Sequence, residues 1–149
     1  MTAGGRYVYQ GMGASLRRPS PDRPLVVLAV DDEETRASYA YGLIATGFDV
    51  TTAGDTTVWR ARAAGRPSII VADVSEEGRD GWTPVQQFKR DPGTRDVPIV
   101  AVAAEVGAAT RDRARREGCA AVCLKTCPPD VLASGLRAVL DHTTPSTSR

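Results

Sequence analysis

The chain has 149 residues, 42% hydrophobic and 25% charged, with a formal net charge of +1. That length holds one domain with a real core and excludes two, and so small a charge gives no global pull toward nucleic acid or a membrane surface. The longest apolar run (25–30) is far too short to span a bilayer and residues 1–10 lack the apolar core of a signal peptide, so a cytoplasmic protein is expected.

Residues 1–23 are rich in Gly, Arg, Ser and Pro, with Arg6, Arg17, Arg18 and Arg23 against the single acid Asp22. Such a stretch has nothing to bury and predicts a disordered basic arm. Met12 offers a second start within it. The folded domain is expected over 24–141, with a frayed polar tail at 142–149.

Residues 25–30 (Leu-Val-Val-Leu-Ala-Val) form an apolar strand that ends in Asp31 and Asp32. A helix follows, with Ala37, Ala40, Tyr41 and Ile44 expected along its inner face and Gly47 ending it. Residues 48–52 read as a shorter strand. Asp55 then caps a helix carrying Val58, Trp59 and Ala63, stopped by Gly65 and Pro67.

The run 68–73 (Ser-Ile-Ile-Val-Ala-Asp) is too short for a helix and too apolar for a surface strand. It predicts a strand buried on both faces that delivers Asp73 at its carboxyl end. An acidic loop (74–81) follows, and Pro84 opens a helix to about Arg90. A fourth strand is expected over 99–103, a helix over 108–117 closed by Gly118, and a fifth strand over 121–125 ending in Lys125. Pro128 and Pro129 open the last helix, with Val131, Leu132, Leu136, Val139 and Leu140 expected to pack inward. Strands alternating with helices five times predict an α/β fold, a parallel sheet with helices on both faces.

The three cysteines, Cys119, Cys123 and Cys127, match no zinc spacing, and the sole histidine, His142, lies near the carboxyl end. They read as small hydrophobes rather than ligands. Arg111, Arg113, Arg115 and Arg116 form a basic cluster that could meet an acidic partner. They also offer the i,i+4 pairs Asp112–Arg116 and Arg113–Glu117 of a solvated helix, which is the simpler reading.

In a parallel sheet every strand's carboxyl end lies on one edge, where open α/β folds hold their ligands. The first strand brings Asp31 and Asp32 there, the third Asp73 and the fifth Lys125. Three converging carboxylates need a cation, and oxygen donors without His or Cys favour Mg²⁺. The lysine adds a positive charge for a phosphoryl group. A nucleophile, a metal and a charge clamp are what phosphoryl transfer to an aspartate requires.

Asp31-Asp32 after an apolar strand, Asp73 after Ile-Ile-Val-Ala, Asp80-Gly81 seven residues on, and Lys125 after a fifth strand together resemble a response-regulator receiver domain, over residues 25 to about 140. The resemblance implies a flavodoxin-like (βα)5 doubly wound, five-stranded parallel sheet. It implies that Asp73 accepts phosphate from a histidine kinase or phosphotransfer protein, and that Lys125 contacts the phosphoryl oxygens. Asp32 and Asp73 would ligate Mg²⁺ directly, Asp31 would act through water, and the Ser75 backbone carbonyl would complete the protein's ligands. With no output domain in the chain, a stand-alone receiver would signal by contact with a downstream protein, without nucleic acid or membrane; whether two copies pair stays open.

The sequence also departs from that pattern. Ala103 stands where receivers carry Thr or Ser, Val122 replaces the usual aromatic, Glu76-Glu77 replaces Met-Pro, and Thr126 replaces the proline after the lysine. A hydrogen bond to a charged acceptor is worth about 1.5–3 kcal/mol, so losing the hydroxyl is expected to weaken the readout without stopping phosphorylation. A phosphorylation-independent pseudo-receiver, acting as a protein-binding module, is the alternative. A Mg²⁺-dependent phosphatase would need a general acid where Ser75 stands.

Overall fold

The computed structural model describes residues 23–52, 67–75, 81–125 and 127–143. Residues 1–22 of the expected arm, the helix beginning at Asp55, Glu76-Glu77, Asp80, Thr126 and the polar tail beyond 143 fall outside them. The described elements are β1 (Leu25–Ala29), α1 (Glu33–Ala45), β2 (Asp49–Thr52), β3 (Ile69–Asp73), α2 (Thr83–Arg90), β4 (Ile99–Ala103), α3 (Ala108–Arg116), β5 (Ala121–Leu124) and α4 (Pro129–Thr143). All five strands form one parallel sheet in the order β2-β1-β3-β4-β5. The doubly wound parallel sheet read from the sequence is the fold observed.

The order follows from burial. β1, β3 and β4 are the most apolar runs and occupy the centre of the sheet, where both faces are covered. Alternate side chains then serve two cores. Val27, Ile70, Ala72, Ile99 and Ala101 pack with Val85 of α2 and Ala114 of α3 on one face. Val26, Leu28, Ile69, Val71, Val100 and Val102 pack with Tyr39 and Leu43 of α1 and Leu132 and Leu136 of α4 on the other. β5 forms an edge: its residues are only partly buried, and Leu124 is 44% exposed.

α1 and α4 approach closely on the second face. A Cβ added at Gly42 would lie 2.3 Å from the Pro129 Cβ, so only glycine fits there. Gly47 ends α1 with φ 106°, and the Arg137 guanidinium donates to the Thr46 carbonyl at 2.9 Å and stacks 4.4 Å from the Phe48 ring.

Four expectations need correction. Tyr41 is 58% exposed; Ala40 lies on the inner face of α1 as read and Ile44 packs part-buried beside it, but Tyr39 and Leu43 take the place given to Tyr41. Val131 is 51% exposed, because α4 turns Leu132, Ala133 and Leu136 to the sheet. Asp112 pairs with Arg115 at 2.9 Å rather than with Arg116, whereas the Arg113–Glu117 pair forms at 2.8 Å. Arg23, read as part of the arm, is tied into the fold: its Nε lies 3.0 Å from the buried Asp49 carboxylate, and Nη2 donates to the carbonyls of Ile44 and Phe48.

Candidate functional site

At the carboxyl edge of the sheet lies a cleft of about 830 Å³ lined by Asp31, Asp32, Arg36, Asp73, Ser75 and Lys125, with Gln87 and Phe88 of α2 on its far side. All five site residues read from the sequence therefore reach one cavity. Each arrives where a strand stops: Asp31 and Asp32 beyond β1, Asp73 as the last residue of β3, Ser75 two residues on, and Lys125 one residue past β5. The strands end there because the apolar run ends; a carboxylate or ammonium is stable only at the wet rim.

Asp73 is the centre of the bonding. The Lys125 ammonium lies 2.9 Å from its Oδ2, with the carboxylate side chain 11% exposed and the lysine 27%. The Ser75 backbone N–H donates to Oδ1 at 2.9 Å and the Ser75 hydroxyl donates to the same oxygen at 2.5 Å. Lys125 also reaches the Ser75 Oγ at 3.3 Å. Its backbone N–H donates to the Ala103 carbonyl at 2.8 Å, which fixes the start of the lysine's chain beside the end of β4.

Asp32 does a second job that the sequence reading missed. Its carboxylate caps α1, accepting from the Thr35 N–H at 2.9 Å and from the Thr35 hydroxyl. These bonds, the hydroxyl's foremost and then the backbone's, hold its carboxyl below the ordinary aspartate value. An Asp followed three residues later by Thr at a helix start was the available signal. Arg36 was missed as well. It extends from the first turn of α1 to donate to the carbonyls of Val30 and Asp31 at 2.8 and 3.2 Å, setting a second cation on the cleft wall.

The acids share the cleft without closing on one point: among the described residues no group of three or more acidic, His or Cys side chains surrounds a common ion position. Asp32 is turned to its helix and Asp73 is held by Lys125 and Ser75. The donor set is nonetheless all oxygen, the chemistry of a hard cation such as Mg²⁺.

Ala103 ends β4 at 5% exposure, and Val122 packs part-buried against the first core. Asp73 pairs with Val102 in register, so residue 103 stands immediately beyond the acid's neighbour.

No family model matches the sequence. Over 94 residues it is 36% identical to the response regulator PleD of Caulobacter vibrioides, an alignment covering 62% of this chain and 21% of that protein. The chain thus spans about a fifth of the length of the curated relative it matches. Among solved structures it superimposes on the chemotaxis protein CheY4 of Vibrio cholerae with a TM-score of 0.66 at 20% identity, covering 78% of this chain and 98% of that one. The signal receiver domain of a signal transduction histidine kinase from Syntrophus aciditrophicus gives 0.64 at 19% identity, covering 85% and 96%. The chain has the fold of these receiver domains and shares a 94-residue stretch of similarity with a response regulator. Its sheet order is the doubly wound order in which the ligand crevice lies outside the carboxyl ends of the central strands, between β1 and β3. That crevice and the acid cluster coincide.

Among the described residues no helix is long and apolar enough to cross a membrane.

Proposed function

We propose that this receiver accepts a phosphoryl group on Asp73 from a histidine kinase or phosphotransfer protein and passes the signal on by protein contact. The observation that carries the reading is the 2.9 Å bridge from the Lys125 ammonium to Asp73 Oδ2 inside the cleft. A carboxylate held by an ammonium at the edge of the cleft is positioned to meet a phosphodonor there. Ser75 fixes Oδ1 through its N–H, which leaves Oδ2 as the attacking oxygen once Lys125 lets go. Oδ2 attacks phosphorus in line, the bond to the donor's nitrogen or oxygen breaks with its electron pair on the donor, and the lysine moves onto the transferred oxygens. Asp31, Asp32 and Asp73, with the Ser75 backbone carbonyl, are the groups that would hold Mg²⁺. The ion supplies positive charge against the phosphoryl oxygens when bound. Asp32 would leave its cap on Thr35, or share it, to do so.

The test is to incubate the full chain with acetyl phosphate and Mg²⁺ and weigh it intact. The expected result is one added phosphoryl group, labile to hydroxylamine as an acyl phosphate is, and absent from Asp73→Asn. An unchanged mass in the wild type would overturn the reading in favour of the second one, a pseudo-receiver that binds its partner irrespective of phosphate. The alanine at 103 is the observation that favours this second reading.

A further inference from the structure

The function above uses the lysine's ammonium and leaves unexplained what lies beneath its backbone. Just past β5 the chain folds back, with the Cys127 N–H donating to the Leu124 carbonyl at 3.0 Å across a turn that carries Lys125. Strand alternation puts Val122 against the first core and Cys123 against the second, and the turn returns Cys127 to that same second core. Both thiols thus flank the lysine from one side of the sheet. Beside Cys127 stands Tyr39, almost wholly buried, whose hydroxyl donates to the Lys125 carbonyl and lies 4.0 Å from the Cys127 Sγ. The tyrosine's proton is spent on the carbonyl, so the thiol is the donor in that contact. Cys119 is on the other face, packed against the first core. All three cysteines are free.

We propose that Cys123 and Cys127 are a dithiol that closes to a reversible disulfide around Lys125 on exposure to a hydroperoxide, making the turn that holds the phosphoryl-binding cation a thiol-modification site. Burial and the neighbouring Cys127 raise the Cys123 thiol above its ordinary value, so Cys123 is the poorer first target. Cys127, outside the strand and next to the loop, is oxidised first. Its sulfur displaces hydroxide from the peroxide, giving a sulfenic acid and water. The Cys123 sulfur then attacks that sulfenic sulfur and expels a second water. Two thiols and one peroxide become one disulfide and two waters, and the peroxide takes the two electrons. Cys119, raised to about 11 by its burial and turned away, takes no part.

The test uses the intact chain. After treatment with hydrogen peroxide and then iodoacetamide, the expected protein carries one alkyl group in place of the three found without peroxide. It has lost two hydrogens, and dithiothreitol restores all three sites. Trypsin cuts after Lys125, so the staple is expected to join peptides 117–125 and 126–137 until reduced. Cys119→Ser should still form the link and Cys127→Ser should not. Three alkylated thiols after peroxide, a link that disappears in Cys119→Ser, or a disulfide only between two chains on a non-reducing gel would each overturn the assignment. None of these readouts depends on whether Asp73 accepts phosphate.

Discussion

The cleft has two unequal halves. On the β1–β3 side three polar side chains have defined partners: Asp32 on Thr35, Asp73 on Lys125 and Ser75, Arg36 on two carbonyls. On the β4–β5 side Lys125 reaches the cleft from the end of β5, but the strands themselves offer hydrocarbon, with Ala103 closing β4 and Val122 on the edge strand. Both halves sit on equally regular parallel ladders, so the difference belongs to side chains and not to the backbone. Capturing a phosphoryl group and reporting it are separable tasks in such an arrangement. A phosphoryl group shifts a conformational equilibrium only through contacts that differ between the two states. A β4 that ends without a hydroxyl offers fewer of these.

The largest effect expected on the polar half is from Lys125→Ala. Removing a charged hydrogen-bond donor worth about 1.5–3 kcal/mol should slow phosphoryl incorporation from acetyl phosphate by about ten- to a hundredfold. Intact-mass time courses measure it directly. An unchanged rate would mean Arg36, on the same cleft wall, supplies the charge instead.

Asp32→Asn separates the two jobs of that residue. Asparagine still caps a helix well, so the melting temperature should hold. Mg²⁺ affinity by calorimetry should fall by about tenfold, through loss of one direct carboxylate, and more than in Asp31→Asn. Equal losses would show that the two acids share the ion alike.

On the apolar half, Ala103→Thr restores a hydroxyl next to the acid. The added hydrogen bond is worth about 1.5–3 kcal/mol in the phosphorylated state, but the extra atoms enter a site only 5% exposed and give some of it back. A net gain of about five- to tenfold in the switched population is expected. It is read from amide shifts across α3 when beryllofluoride is added. Wild type responding across α3 as strongly as the variant would show that another group already does the hydroxyl's work.

How legible this was in the sequence follows from the same contrast. Runs such as Ile69–Asp73 could be read because burial on both faces forces continuous apolarity, and a charged residue closing such a run can lie only at the rim. The shared cleft then followed from parallel topology, whereas the strand order had to be seen. Helix faces were harder. In α1, Ala40 and Ile44 could be placed, but Tyr41 was as plausible an inward residue as Tyr39 or Leu43, and the choice is a rotation set by the sheet beneath. Roles that depend on tertiary partners were not legible: Arg23 on Asp49 is an interaction across 26 residues, and Arg36 looks like any helix-surface arginine until its carbonyl partners are known.

The smallest expected effect lies at the seam between the two halves. Tyr39 belongs to α1, on the polar side, yet its hydroxyl is given to the Lys125 carbonyl at the end of the edge strand. Tyr39→Phe keeps the ring in the second core and removes only that donor. The carbonyl is part-buried and loses a partner that water replaces poorly, so stability should drop by about 1 kcal/mol in urea unfolding with no change in slope. The turn that carries Lys125 would then be held by its own backbone bonds, the Lys125 N–H to Ala103 and the Cys127 N–H to Leu124. Looser positioning of the ammonium should slow phosphoryl incorporation less than Lys125→Ala does, by a few-fold at most. A loss as large as that of Lys125→Ala, at unchanged stability, would mean that the polar half reaches across the sheet and that the cleft does not divide where its side chains change.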